Sequence, residues 1–246
     1  MLERNKIYCI DVLDGLHQMD DNSVDLIITS PPYNKAGLNG KRKTTHNDIW
    51  NKTINYSDDD DVDCIPEEEY QKWQEQVLNE CYRVLKSDGS LFYVHKNRIK
   101  IGMGYCITPY QWILKTPFLL RQEITWDKCG TPNMDPSRYI VNTEKIFWLT
   151  KTKKVRYRRQ KNLEFQGEVW RLKAQQYTEH PAPFPINIPD NIIPNVQGGG
   201  GKEKLLVLDP FIGSGTVAMS AVKNGCDYIG FEKFQIYVDM ANKRLT

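Results

Sequence analysis

A short stretch near the N-terminus joins an apolar run to a loop that carries a hydroxyl and an aromatic ring. Residues 25–33 read DLIITSPPY. The apolar run predicts a buried parallel strand. The prolines cannot donate to a sheet and hold the preceding residues extended, so a stiff loop is expected at the strand's carboxyl end. Open α/β sheets bind ligands at that edge, so Ser30, Pro31, Pro32 and Tyr33 are candidate catalytic residues. The alternative is an ordinary strand-ending turn.

A second stretch, near the C-terminus, has the pattern of a ligand-binding βαβ unit. Residues 209–216 read DPFIGSGT and lie between a predicted strand, 205–208, and a predicted helix, 216–224. Glycines at such a turn let a ligand approach the backbone, and the free N–H groups of the helix attract negative charge. Glu232 ends the next predicted strand, 227–231, about 20 residues after the glycines, where an acid can bond ribose hydroxyls. The G-x-G-x-x-G pattern is absent, which favours a nucleoside with an amino-acid tail over NAD.

Asp11 is a third candidate, because it follows a predicted strand over 7–10. A carboxylate there could share the crevice with the Ser30 loop. It could equally cap the helix predicted over 12–19, since Asp is a preferred N-cap.

The elements between these motifs are predicted from apolar periodicity. A helix over 66–86 carries a core stripe that includes Tyr70, a second helix is expected over 109–115, and a third begins near residue 189. Strands are expected over 90–95, 120–126 and 145–150, with an irregular linker over 127–142. Glu144 precedes the last of these strands and has no assigned role.

Two segments carry clustered positive charge. Lys41, Arg42 and Lys43 lie in a polar segment that predicts a long mobile loop over 35–63, and they could contact phosphates or solvent. Residues 151–161 contain no acid, and alternating Val155 and Tyr157 predict a short exposed strand. Such clusters form an electrostatic footprint for nucleic acid, although surface tails look similar. The candidate contacts here are Lys153, Lys154, Arg156, Arg158 and Arg159.

Composition narrows the class of protein. The 246 residues are 40% hydrophobic with a net charge of +2, so the chain can bury a full core, and nucleic-acid affinity must come from local patches. Six cysteines form no C-x-x-C pair and have no neighbouring His cluster, so neither a metal site nor a disulfide framework is expected. Neither an apolar signal region nor a membrane-spanning run is apparent, and we expect a cytoplasmic protein.

Together the TSPPY and DPFIGSGT motifs resemble those of the beta-class amino DNA methyltransferases, which use S-adenosylmethionine. The order, with the catalytic motif first and the cofactor motif last, is that of the beta class. The resemblance implies an α/β, Rossmann-like class I methyltransferase fold, circularly permuted, with a mostly parallel seven-stranded sheet and an antiparallel edge hairpin. Supporting stretches are NSVD at 22–25, RVLK at 83–86, DGS at 88–90, HP at 180–181 and GFE at 230–232.

The resemblance also implies a division of the chain. Residues 1–150 would form the catalytic part, with the catalytic loop over 29–34. Residues 151–178 would form a small target-recognition region, and residues 179–246 the cofactor-binding part of the same domain.

Site roles follow from the same resemblance. Glu232 would hold the ribose hydroxyls, and Lys233 or Phe234 would lie near the adenine. Asp11 would accept from the adenine amino group, although Ile10 stands where the family usually has Gly. Ser30 Oγ and the Pro31 carbonyl would grip the target amine while Tyr33 stacks on a flipped base. The residues around the methionine part would be Asp209, Phe211, Gly213, Ser214, Gly215 and Thr216.

Ser at the head of the catalytic motif accompanies cytosine-N4 transfer more often in the family, so N4-methylation is favoured over adenine-N6. RNA or protein-glutamine methylation, or a non-catalytic relic, are weaker alternatives. Carbon-5 methylation would need a Pro-Cys dipeptide, and no cysteine here follows a proline. The partners expected are double-stranded DNA, a second copy of the chain and a cognate restriction endonuclease.

Overall fold

The computed structural model describes residues 2–34, 65–99, 105–130, 139–173, 185–200 and 203–246. The elements, numbered here in chain order, are β1 (Lys6–Cys9), α1 (Val12–His17), β2 (Val24–Thr29), α2 (Glu67–Val84), β3 (Leu85–His95), β4 (Arg98–Ile99), β5 (Cys106–Ile107), α3 (Tyr110–Ile113), β6 (Leu119–Asp127), β7 (Thr143–Thr150), β8 (Val169–Arg171), α4 (Asn187–Gly198), β9 (Leu206–Asp209), α5 (Thr216–Lys223), β10 (Asp227–Glu232) and α6 (Gln235–Leu245).

Eight strands form one mixed sheet in the order β1-β10-β9-β2-β3-β7-β6-β8. The first five in that order run parallel, and β7 and β6 add an antiparallel hairpin. The sheet has one strand more than the seven predicted, because β8 pairs parallel with β6 at the outer edge. With only three residues, β8 is too short to show an alternating pattern in the sequence. In the described part of the chain, β4 and β5 form a separate small ribbon.

The C-terminal βαβ unit lies inside the sheet. Its first strand, β9, pairs with β2, and its second strand, β10, pairs with β1. Both β2 and β9 are buried along their whole length. This arrangement is the predicted circular permutation, since the last strands of the chain fill the gap between the first two.

Helices cover both faces of the sheet. Helices α1, α2 and α3 pack in one apolar core, and α4, α5 and α6 pack in the other. On α2 the predicted stripe is buried at positions that include Tyr70, Val77 and Val84. Among the described residues, no helix has both the length and the apolar character needed to cross a membrane.

Candidate active site

The two sequence motifs meet at the carboxyl edge of the sheet. Because β2 and β9 are parallel neighbours, the residues that end them lie side by side. Thr29 Oγ1 donates a hydrogen bond of 2.8 Å to Asp209 Oδ1, and both side chains are buried. The catalytic loop and the glycine turn, 180 positions apart in sequence, therefore form one site.

Backbone conformation explains the glycines of the turn. Gly213 and Gly215 have φ of 50° and 85°, in the left-handed region that favours glycine. A Cβ on Gly215 would also lie 2.9 Å from Cβ of Ala241 on α6. The turn is further fixed by Arg244, whose Nη1 donates to the Ser214 carbonyl at 2.6 Å and to its Oγ at 2.8 Å. Thr216 follows as the buried first residue of α5.

Asp209 has one carboxylate oxygen satisfied and one left over. Its Oδ1 accepts from Thr29 Oγ1 and from the Phe211 backbone N–H at 3.0 Å. Its Oδ2 is buried and has no hydrogen-bond partner among the described residues. Burial raises the pKa of Asp209 to about 7, against the lowering effect of those two donors. A buried oxygen of this kind fits a cationic ligand group, which would supply the missing donor.

Glu232 and Asp11 lie at the same edge, because β1 and β10 are paired with Cys9 opposite Glu232. Burial raises the pKa of Glu232, while backbone N–H groups, including that of Phe234 at 2.9 Å, oppose the rise. Asp11 Oδ1 accepts from the Leu13 N–H at 2.9 Å and caps α1. Asp11 therefore caps helix α1, and it also lies at the carboxyl edge of the sheet with Glu232.

Two further predicted cofactor residues border this region. Lys233 is exposed directly after β10. The Phe211 ring is partly buried and meets the Trp73 ring of α2 edge-on, with centroids 5.6 Å apart.

The catalytic loop is held by Tyr33, whose side chain points inward. Its hydroxyl lies 3.0 Å from Ser30 Oγ and donates to Glu144 Oε2 at 3.0 Å. Its ring centroid lies 4.5 Å from that of His95. Burial, followed by the charge of Glu144, raises the pKa of Tyr33 well above its usual range. The sequence predicted base stacking for Tyr33 and no role for Glu144, and only the pairing of β7 with its neighbours brings them together.

Tyr70 holds the same loop from α2. Its hydroxyl donates to the Pro32 carbonyl at 2.7 Å and lies 2.8 Å from His95 Nε2, while Gln74 Nε2 donates to it at 3.0 Å. Because the one hydroxyl hydrogen goes to Pro32, His95 Nε2 carries the hydrogen that it shares with Tyr70. The sequence placed Tyr70 in a core stripe. A tyrosine in a buried stripe needs a hydrogen-bond partner for its hydroxyl, and this requirement could have indicated a polar role for Tyr70.

Asn34 closes the catalytic loop. It is fully buried with φ of 51°, and its side-chain amide pairs with both backbone groups of Ile65, at 2.9 and 3.1 Å. The chain therefore leaves the site at residue 34 and returns beside it at residue 65. The expected mobile loop over 35–63, with Lys41, Arg42 and Lys43, lies outside the described residues.

The basic stretch over 151–161 lies at the opposite edge of the sheet. β7 runs antiparallel to β3, pairing Lys145 with His95 and Thr150 with Ser90. The chain after Thr150 therefore emerges where β2 and β3 begin, roughly 20 Å from the catalytic loop for the six residues of β2. Lys153, Lys154, Arg158 and Arg159 therefore do not lie beside the catalytic loop, and their contact with DNA stays a prediction.

Arg156 also has a structural role. Its guanidinium lies 3.5 Å from Asp25 Oδ1, with side chains 10% and 6% exposed, and its N–H donates to the Asp88 carbonyl. The stretch is irregular, and the Tyr157 ring packs 4.6 Å from the Trp148 ring. The predicted exposed strand was therefore wrong, because Val155 and Tyr157 pack on the core.

The exposed groups at the catalytic edge come from other segments. Arg171 ends β8 opposite Asp127, and Lys173 follows it; both are exposed. Tyr139 is 97% exposed and Ile140 56% exposed, just before β7 begins at this edge.

Comparison with known proteins shows the family of the chain. A family model described as DNA methylase, covering N6 and N4 methyltransferases, matches residues 24–243. The type II methyltransferase M.HinfI of Haemophilus influenzae is 30% identical over 262 residues, which cover 98% of this chain and 68% of the relative.

Two solved structures share the fold. The PvuII DNA methyltransferase, which is cytosine-N4-specific, superimposes with a TM-score of 0.75 at 20% identity, over 100% of this chain and 88% of its own. The M1.HpyAVI–SAM complex gives a TM-score of 0.61 at 22% identity, over 97% of this chain and 98% of its own.

The fold is that of a class I methyltransferase. The chain belongs to the DNA methylase family, whose members transfer methyl groups to exocyclic amines of DNA bases.

Proposed function

We propose that this chain transfers a methyl group from S-adenosylmethionine to the N4 amine of cytosine in double-stranded DNA. The observation that carries the base choice is a hydroxyl, Ser30, at the head of the catalytic loop, where a carboxylate or amide would favour adenine. Thr29, its neighbour, donates to Asp209 in the glycine turn at 2.8 Å, so Ser30 lies beside the cofactor region. Similarity to the cytosine-N4-specific PvuII enzyme supports the same choice.

The glycine turn fits the proposed cofactor. The open Oδ2 of Asp209 suits the ammonium of a methionine tail, Glu232 suits ribose hydroxyls, and Asp11 and Lys233 border the adenine position. When bound, S-adenosylmethionine supplies a methyl group activated by a sulfonium.

The catalytic loop would prepare the acceptor nitrogen. An exocyclic amine is a poor nucleophile because its lone pair is delocalised into the ring. Ser30 Oγ and the Pro31 carbonyl, accepting its two N–H bonds, would draw the nitrogen towards tetrahedral geometry and free the lone pair. As the new N–C bond forms, the bond between the methyl group and the sulfonium sulfur would break to leave a neutral thioether, and the nitrogen would give up one proton to water. Tyr70, through the Pro32 carbonyl, keeps the loop in place, so positioning and electrostatics supply most of the catalysis.

DNA would approach the carboxyl edge of the sheet, because the target base must leave the duplex to reach Ser30. Exposed cations of the predicted recognition region at this edge include Arg171 and Lys173, with Tyr139 exposed nearby. A cognate restriction endonuclease stays part of the proposal, as the relative M.HinfI is a type II methyltransferase.

Nucleoside mass spectrometry tests the proposal on DNA treated with the protein and S-adenosylmethionine. N4-methylcytosine is expected, and Ser30→Ala should lower kcat by about 10²–10³-fold because one acceptor of the amine is lost. N6-methyladenine, the second candidate because the family model covers both amines, would overturn the base choice alone. If neither methylated base forms on DNA, the same test is repeated with RNA.

A further inference from the structure

Glu144 ends a chain of hydrogen bonds that begins at Ser30. Ser30 Oγ, Tyr33 Oη and Glu144 Oε2 follow one another at 3.0 Å each, and Lys128 Nζ lies 3.0 Å from Glu144 Oε1. The side chains of Glu144 and Lys128 are 12% and 20% exposed. Such a chain spans the site from the catalytic loop on β2 to the start of β7.

The donors and acceptors in this series of hydrogen bonds allow one direction of donation only, from Ser30 towards Glu144. An ionised carboxylate is an acceptor, so Tyr33 gives its single hydroxyl hydrogen to Glu144. Tyr33 Oη can then take part in the bond with Ser30 only as an acceptor, so Ser30 donates its hydrogen to Tyr33. The remaining lone pairs of Ser30 Oγ are left for the target base.

We propose that Glu144 is a positioning residue that acts through Tyr33 to make Ser30 Oγ a hydrogen-bond acceptor, and that this direction selects a base with an exocyclic amine. An amine donates to Ser30, whereas a carbonyl in its place would set two acceptors against each other. The inference rests on the proposed amine transfer and extends it to substrate selection.

Glu144→Gln should reverse the direction of the hydrogen bonds that link residue 144 to Ser30, with little change in the shape of the side chain. Lys128 needs an acceptor, so the amide oxygen of the substituted side chain would stay at the position of Oε1. The amide NH₂ would then face Tyr33 and donate to it. Tyr33 would turn its hydrogen to Ser30, and Ser30 would present a donor to the base.

Methylation kinetics give the first readout. Glu144→Gln should lower kcat about 10²-fold, with the KM for S-adenosylmethionine changed less than about twofold, since the chain does not touch the cofactor turn. In a Tyr33→Phe background the same substitution should have almost no effect, because the link to Ser30 is already broken.

DNA binding gives a readout that does not depend on turnover. Wild-type protein should bind its recognition duplex more tightly than a duplex in which the target amine is replaced by a carbonyl, with uracil standing for cytosine or hypoxanthine for adenine. Glu144→Gln should lose that preference, an effect that general loosening of the fold would not produce.

Glu123 offers a matched control within the same sheet. It also accepts from a tyrosine, Tyr110, and lies 2.7 Å from a lysine, Lys145, but none of these residues contacts Ser30 or Tyr33 in the contacts described. Glu123→Gln should leave kcat and base preference unchanged.

Three results would overturn the inference. They are unchanged kcat in Glu144→Gln, losses that add fully with Tyr33→Phe, or an unchanged base preference. If Glu144→Gln fails to fold, the preference is measured in Tyr33→Phe, where it should also be lost and where its retention overturns the inference. Wild-type protein that methylates no DNA amine would instead refute the proposed function.

Discussion

At the scale of single residues, several of the predicted site residues are held by a polar partner from a different strand or helix. Tyr70 of α2 fixes the Pro32 carbonyl, Glu144 of β7 fixes Tyr33, and Thr29 of β2 binds Asp209 of β9. Because these partners are buried or nearly so, each bond is formed in a region of low dielectric, where geometry is well determined. Asp209 differs because its Oδ2 has no hydrogen-bond partner among the described residues.

Asp209 should make the stability of the cofactor-free protein depend on pH. Its pKa is about 7 when folded and near 3.8 when unfolded, so the folded state binds more protons between these values. The free energy of unfolding should therefore fall as pH rises from about 4 to 7, by on the order of 1–3 kcal/mol. Asp209→Asn should remove that part of the fall.

Urea denaturation across this pH range measures the effect, with exposed Asp20→Asn as the control that should match wild type. Equal slopes for wild type and Asp209→Asn would show that Asp209 does not titrate there.

At the scale of elements, Asp25 ties the central strands to the segment after β7. Its Oδ2 accepts from the Leu206 N–H at 2.9 Å, and its Oδ1 is bound by Lys86 at 2.8 Å and approached by Arg156. This buried cluster explains why a basic stretch stays at the amino edge, since one of its arginines neutralises a buried acid of β2.

Arg156→Ala should therefore weaken the fold rather than DNA binding. Removing one partner of a buried ion pair should lower the free energy of unfolding by about 1–3 kcal/mol. Exposed Lys154→Ala should change it by less than about 0.5 kcal/mol. Denaturant titrations and DNA-binding isotherms of both variants test this. Weaker DNA binding with unchanged stability in Arg156→Ala would contradict the structural role and support the predicted DNA contact.

At the scale of the whole molecule, the permuted chain brings the two sequence motifs to one edge of a single sheet, and the predicted recognition region, 151–178, is small. Only the last described residues of the region 151–178 reach the catalytic edge, with Arg171 and Lys173 exposed there. A small surface fits either a short target sequence or two copies of the chain acting together.

We therefore expect a homodimer on DNA, because a second copy would double the contact surface. Sedimentation velocity of the protein, free and on its recognition duplex, measures the stoichiometry. A monomer in both states would leave the short target as the explanation.

The sequence alone was sufficient to identify the two motifs and to predict most of the strands and helices that carry them. Periodic apolar runs predicted the seven longer strands of the main sheet and the principal helices to within a few residues, because burial of one stripe or one strand is a local pattern. Proline pairs and glycine turns are local as well, so the positions of the catalytic loop and cofactor turn could be read directly.

Only the tertiary structure decided which side chains meet. The bonds from Thr29 to Asp209, from Tyr33 to Glu144 and from Tyr70 to Pro32 span 180, 111 and 38 positions, and depend on strand order and register. The direction of β7 decided which edge receives the basic stretch, a choice that charge alone could not make. Local patterns determine where a chain is buried and where it turns, whereas partners far apart in sequence are selected by packing of the whole sheet.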